Sequence, residues 1–211
     1  MKKIALLLLL QIFSALSFAQ NSPATAAEDS SWIVNNYYKW ERSIPMRDGV
    51  KLFTSIYIPK DSTQKRPIMF NRTPYSCAPY GENKFREFWY RNTKVYFKEK
   101  YIMVFQDVRG KYMSEGTFED VRPFIKDKKS KTDVDEASDT YDAIEWMIRN
   151  IPYNNGNVGV SGVSYPGFYS TMAALSGHPA LKAVSPQAPV TDWFVGDDFH
   201  HNGAFFLLDC F

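Results

Sequence analysis

Cysteine and histidine are scarce in this chain: two Cys and three His among 211 residues. Cys77 and Cys210 could pair in an oxidising compartment, but two thiols do not make a disulfide framework, and Cys210 stands one residue from the end. Metal binding is not expected either, because no third ligand at sensible spacing accompanies the acidic and histidine pairs. Phosphate loops are missing: no Gly-x-Gly-x-x-Gly follows a strand pattern, so no cofactor is implied. An excess of one charge is also missing. The densest basic run, Lys126 to Lys131, is followed at once by Asp133, Asp135 and Glu136 and reads as a solvated loop. Without a basic stripe there is no reason to invoke nucleic acid or an anionic membrane as partner. The chain has no internal repeat and no low-complexity tract.

Long apolar runs are absent except at the start. Lys2 and Lys3 form a basic n-region, Ile4 to Leu16 an apolar h-region, and Ser17 and Ala19 place small residues at the −3 and −1 positions. Residues 1–19 therefore read as a signal peptide cleaved before Gln20. The run is too short for a membrane-spanning anchor, and Gln11 and Ser14 interrupt it. No cysteine near the cleavage site supports a lipid anchor. Export, to the periplasm or beyond, is the expectation, with no membrane anchor on the mature chain. Removing the segment takes two lysines and no acids, so the formal charge falls from +2 to 0.

Residues 20–36, rich in Ser, Ala, Pro and Asp at first, read as a flexible lead-in. Tyr37 to Pro45 and Val50 to Ile58 alternate around Arg47-Asp48-Gly49, a hairpin signal. Pro67 to Asn71 and Tyr101 to Gln106 read as buried strands, and Phe85 to Glu99 shows helical spacing of aromatics. Glu136 to Asn150 reads as an amphipathic helix with Tyr141, Ile144, Met147 and Ile148 on one face and acids in its first turn. Asn157 to Val160 and Ala183 to Ser185 are further strands. Strands alternating with helices predict an α/β fold with a mostly parallel sheet. The 16% aromatic content suits a large core with an aromatic-lined cleft.

Gly162-Val163-Ser164-Tyr165-Pro166-Gly167 carries the chemistry. It is a G-x-S-x-G pattern with one extra residue, set between a β-branched strand and a helix-compatible stretch from Phe168 to Leu175. A nucleophile elbow needs that setting. Small residues let the backbone bend sharply and lift the serine hydroxyl above the sheet at a helix N-terminus. A glycine- and serine-rich turn without chemistry is the bland alternative, and the flanking strand and helix weigh against it.

Tyr165 extends the motif to G-x-S-Y-x-G, preceded by Asn154-Asn155-Gly156-Asn157-Val158-Gly159. Four further segments follow the same order: Pro45 to Leu52, Asn71-Arg72-Thr73-Pro74-Tyr75, Gln106-Asp107-Val108-Arg109-Gly110 with Ser114-Glu115-Gly116, and Asp197 to Phe205. Together they resemble the X-Pro dipeptidyl-peptidase and cocaine-esterase-like group of α/β-hydrolases, and within it the α-amino-acid ester hydrolases. The resemblance runs over residues 37–211 and implies the N-terminal part of an α/β-hydrolase catalytic domain. The chain stops inside an apolar stretch, so a longer protein is expected.

What the resemblance implies is a serine hydrolase that cleaves or transfers the acyl group of α-amino acid esters and amides, including β-lactam side chains. The substrate would be a small molecule, and a homo-oligomer of the full-length enzyme stays open. Ser164 would be the nucleophile and the backbone N–H of Tyr165 one oxyanion donor. The resemblance makes the Tyr75 hydroxyl the second donor; from residue physics alone Tyr75 is an ordinary surface or core tyrosine. Asp198 would bind the substrate's α-ammonium, although adjacent acids such as Asp197 and Asp198 more often face solvent or cap a helix. His178 reads as a loop residue that packs or caps, while His200 and His201 adjoin the two acids. In the resembled family the triad's Asp and His follow the acidic box, beyond Phe211. The 211 residues alone are therefore expected to be inactive. Rival readings are an X-Pro dipeptidyl peptidase, a broad esterase or acylase, or a non-catalytic binding domain on a hydrolase fold.

Overall fold

The structure is a computed structural model that describes residues 23–86, 91–190, 192, 194–195 and 200–205. The expected signal peptide, Asp197, Asp198 and Cys210 lie outside the described residues.

The chain opens with helix α1 (Pro23–Asn36) and an antiparallel hairpin, β1 (Tyr37–Pro45) and β2 (Lys51–Pro59). Then follow β3 (Arg66–Thr73), α2 (Arg91–Lys98), β4 (Ile102–Asp107), α3 (Glu136–Asn150), β5 (Asn154–Val163), α4 (Tyr165–Leu175) and β6 (Leu181–Gln187). A short pair, β7 (His200–His201) and β8 (Ala204–Phe205), forms a separate two-stranded ribbon. The six strands of the main sheet stand in the order β1-β2-β4-β3-β5-β6, antiparallel up to β4 and parallel from there on.

Local sequence explains most of these elements. At the hairpin tip Gly49 adopts φ +90 and donates to the Met46 carbonyl at 2.9 Å, a turn that Asp-Gly favours. Helix α3 starts with a capping box: Asp135 accepts from the Ser138 N–H at 2.8 Å, and Ser138 Oγ accepts from the Asp135 N–H at 2.9 Å. Strand β4 is buried along its whole length, as a central strand covered on both faces must be. Its alternate residues divide between two cores. Ile102 and Val104 join Ile56, Phe70, Val160, Ile144 and Met147 under α3 and α4, while Met103 and Phe105 join Tyr57, Phe97 and Ile33 on the other face.

Two expectations change in detail. Residues 23–36 form a helix where a flexible lead-in was expected, because Ile33 is buried in the second core and Trp32 packs beside it under the Lys98 ammonium. The helix expected over 85–99 occupies only Arg91–Lys98 among the described residues. The basic loop is solvated as expected, save for Lys128, whose ammonium lies 2.6 Å from buried Asp135.

The strand order fixes where a site can form. The chain leaves β3 toward β4 on one side and leaves β5 toward β6 on the other, although β3 and β5 are neighbours. Loops that diverge in this way open a crevice at the carboxyl ends of the strands, where open α/β sheets bind ligands. Tyr75 follows β3 and Ser164 follows β5.

Candidate active site

Ser164 sits between β5 and α4 with φ +61 and ψ −121. A non-glycine residue in that region is strained by roughly 1–3 kcal/mol and persists only where its surroundings enforce it. The surroundings here are steric. A β-carbon at Gly162 would lie 2.1 Å from the Pro166 carbonyl oxygen, and one at Gly167 would lie 2.8 Å from the Gln187 carbonyl oxygen. Only glycine permits both approaches. The Ser164 N–H donates to Gln187 O at 2.9 Å, its carbonyl accepts from the Phe168 N–H at 3.1 Å, and its side chain makes no cap to the helix. Ser164 is exposed at the first turn of the helix, and its neighbours Gly162, Val163 and Pro166 line the crevice.

The Tyr165 side chain fastens the elbow to the long loop between β4 and α3. Its hydroxyl donates to Asp120 Oδ1 and accepts from the Val121 N–H at 2.9 Å. Burial, and then the hydrogen bond to Asp120, push its pKa well above the ordinary phenol range, so it stays neutral. Its ring stacks on Tyr169 at 5.3 Å and meets the edge of the Tyr75 ring at 6.3 Å. Tyr75 is exposed, and with Asn71, Phe105, Gly162, Val163 and Gln187 it lines a cavity of about 230 Å³. The structure thus brings Tyr75 and the elbow to one crevice.

Tyr75 is held from below by groups not assigned from the sequence. The Tyr75 N–H donates to Thr73 Oγ1 at 3.0 Å, and two residues on the Cys77 N–H donates to Asp107 Oδ1 at 2.6 Å. Asp107 ends β4 and is fully buried, and burial raises its pKa. The remaining motif residues act as scaffold. Buried Arg72 donates to Gln106 Oε1 at 3.0 Å and to the Glu136 carbonyl at 2.9 Å. Arg109 grips Asp139 at 2.7 Å and Asp48 at 2.7 Å. A β-carbon at Gly110 would lie 2.1 Å from the Phe118 nitrogen, so the loop needs glycine there too. The sequence signal was present: charged residues stand at the ends of otherwise apolar strands, which implies buried partners.

The histidines divide. His178 is buried, and its Nδ1 accepts from the Ala180 N–H at 3.0 Å. That bond puts the ring proton on Nε2, 3.0 Å from Glu145 Oε2, and the ring packs on Tyr141 at 4.5 Å. His178 therefore pins the end of the elbow helix to α3. His200 lies between the rings of Phe194 and Phe205. The Cys77 thiol is buried, with its pKa pushed up to about 12 by burial and by the charge of Asp107, so it is chemically quiet. Among the described residues no group of three or more His, Cys, Asp or Glu is set to hold a metal ion, and no helix is long and apolar enough to cross a membrane.

A mostly parallel sheet, helices on both faces and a serine elbow at the strand ends define an α/β-hydrolase fold. Comparison with known proteins narrows the class. Residues 48–210 match the family model for X-Pro dipeptidyl-peptidase (S15 family), and the chain belongs to that family. A cocaine esterase from Rhodococcus sp. (strain MB1 Bresler) is 32% identical over 165 residues, which cover 76% of this chain and 25% of that protein. The crystal structure of an α-amino acid ester hydrolase superposes with a TM-score of 0.71 at 42% identity, over 82% of this chain and 28% of the other. An aminopeptidase from a marine sediment Thaumarchaeota archaeon gives a TM-score of 0.69 at 40% identity, over 81% of this chain and 28% of the other. The chain thus spans roughly a quarter of the length of these relatives.

Proposed function

We propose that this chain is the nucleophile-bearing part of an exported serine hydrolase that cleaves or transfers the acyl group of α-amino acid esters and amides, β-lactam side chains included. The observation that carries the reading is the strained Ser164 backbone, enforced by Gly162 and Gly167, with Tyr75 in the same crevice. Ser164 Oγ attacks the acyl carbon and loses its proton to a histidine base. The carbonyl oxygen gains the negative charge, which the Tyr165 N–H and the Tyr75 hydroxyl receive. The alcohol or amine departs with the proton from the base, and water then releases the acid from the serine ester. The base and its aspartate are supplied by chain outside these 211 residues. Asp198 supplies a carboxylate for the substrate's α-ammonium, a charge-assisted contact that a plain esterase does not need.

In the complete enzyme, Ser164→Ala is expected to remove the acyl-enzyme and about 10⁶-fold of turnover. Labelling by a fluorophosphonate that survives this substitution would sink the reading. Asp198→Asn is expected to cost about ten- to a hundredfold in kcat/KM on phenylglycine methyl ester and little on the matching ester without the amine. Equal losses on both would return the protein to the general esterases. The match to the X-Pro dipeptidyl-peptidase family favours one second reading, removal of X-Pro dipeptides, which uses the same ammonium contact. An X-Pro p-nitroanilide cleaved faster than the ester would favour it.

A further inference from the structure

We infer that Asp107 is the positioning residue for Tyr75: through the Cys77 N–H and the Tyr80 hydroxyl it sets where the phenol of Tyr75 stands above the elbow. The inference rests on the reading of Tyr75 as an oxyanion donor. Asp107 shares no atom with the crevice; it is fully buried at the end of β4. Its two carboxylate oxygens face donors from two loops. Oδ1 accepts from the Cys77 N–H at 2.6 Å, and Oδ2 accepts from the Tyr80 hydroxyl at 3.0 Å and the Met113 N–H at 3.4 Å. Its carbonyl accepts from Ser114 Oγ at 2.6 Å, and that hydroxyl accepts in turn from the Phe53 N–H at 2.8 Å. The Asp107 backbone is thereby tied to the hairpin as well as to its own strand.

The segment it holds needs holding. Ser76, next to Tyr75, takes φ +82, a region that side-chain-bearing residues enter only under constraint. Ser76 Oγ lies 2.8 Å from the Tyr80 hydroxyl and accepts from the Ala78 N–H at 3.0 Å, so the turn closes on itself. The turn joins the buried frame through the Tyr75 N–H bond to Thr73 and the two Asp107 contacts. Tyr75 lies between these points, exposed, with the edge of Tyr165 as its aromatic neighbour. An oxyanion donor works only within a few tenths of an ångström of the developing charge. A shift of about 1 Å costs on the order of 10²-fold in rate. Burial makes the arrangement one-sided: Cys77 and Met113 offer N–H groups that can only donate, so only an acceptor fits between them.

The test is a double-mutant cycle in the complete enzyme, with phenylglycine methyl ester as substrate. Asp107→Asn keeps an acceptor for Cys77 but turns an NH₂ toward Met113 and Tyr80. It is expected to lower kcat by about 10- to 100-fold with KM within about threefold. In a Tyr75→Phe background the same substitution is expected to change kcat by less than about twofold, since the group it positions is gone. A merely structural role would give the same fold-loss in both backgrounds; that result, with Tyr75→Phe itself still costly, overturns the inference and leaves the donor reading intact. A normal kcat for Tyr75→Phe alone overturns the donor reading and the inference with it. Where Asp107→Asn does not fold, Tyr80→Phe removes a single hydroxyl from the same carboxylate. It is expected to cost about threefold in kcat, again only when Tyr75 is present, and an equal loss in both backgrounds overturns the inference.

Discussion

Two loops meet at the same crevice and are held there by different physics. The elbow after β5 is held by contact: glycines at 162 and 167 allow backbone atoms to approach where a β-carbon would lie 2.1 Å and 2.8 Å from a carbonyl oxygen. The turn after β3 is held by polarity, through a buried carboxylate that accepts from it at 2.6 Å and 3.0 Å. Steric constraint joins Gly162 to Pro166 within the elbow and Gly167 to Gln187 at the end of β6. Polar constraint recruits a residue 30 positions away, because Cys77 and Asp107 meet only once the sheet has formed. The first kind is rigid but intolerant of added atoms; the second tolerates added atoms and fails when a charge is removed.

Substitutions can break or sharpen this contrast. The largest loss of stability is expected on the polar side. Asp139→Ala leaves Arg109 with Asp48 alone and takes a carboxylate from the buried Arg72 cluster. Removing one partner from a buried ion pair costs about 3–5 kcal/mol, to be read from urea unfolding. A cost near that of an exposed ion pair, under about 1 kcal/mol, would show that the cluster does not carry the scaffold.

On the steric side, Gly162→Ala is expected to cost about 1–3 kcal/mol and, by displacing Ser164, on the order of 10²-fold in kcat. Gly156→Ala makes the control. No atom lies within 4 Å of its added carbon, and only its φ of +78 opposes the change. A loss of about 1–2 kcal/mol with unchanged kcat is expected there. Comparable kcat losses at both glycines would mean that close approach is not what shapes the elbow.

The smallest effect concerns the cap of α3, where sequence-local and polar constraint coincide. Burial pushes the Asp135 carboxyl up, but Lys128 and the N–H groups of Ile125 and Ser138 outweigh it, and the pKa falls below the ordinary value. A carboxylate lowered in the folded state contributes stability above its unfolded pKa, near about 3.9, and loses it as pH falls through the folded value. Asp135→Ala is therefore expected to cost about 0.5–2 kcal/mol at neutral pH and progressively less in acid. A difference that stays constant down to about pH 2 would contradict the sign of the shift.

The contrast also explains what could be read from the sequence. The hairpin, α3 and the elbow follow from nearby residues: Asp48-Gly49, the Asp135–Ser138 box, and Gly162 with Gly167. The order of β4 and β3 in the sheet, and hence the crevice, left no local mark. Helix α1 was missed because its composition is that of a linker; among the described residues, Ile33 reaches the core and Trp32 packs beside it. Asp107, Gln106 and Arg109 stood out as a pattern without a stated role, since each acts on a partner far along the chain. Tyr75 was nominated only by resemblance. Its own neighbours say nothing of the crevice.

Strands β3 and β5 pair directly, with Phe70 opposite Val160, and Asn71 Nδ2 donates to the Ser161 carbonyl at 2.7 Å just before both strands end. The spacing between the starts of the two turns that carry Ser164 and Tyr75 is therefore measured out by the hydrogen-bond ladder of the sheet. Neighbouring strands keep a spacing of about 4.8 Å whatever the loops around them do. A one-residue slip of β5 would carry Ser164 about 3.3 Å along the strand and turn its neighbours to the opposite face, so intermediate settings do not exist. Loop sequences beyond these anchored turns can diversify while that interval stays constant. One ladder can thus serve relatives that differ in what they cleave.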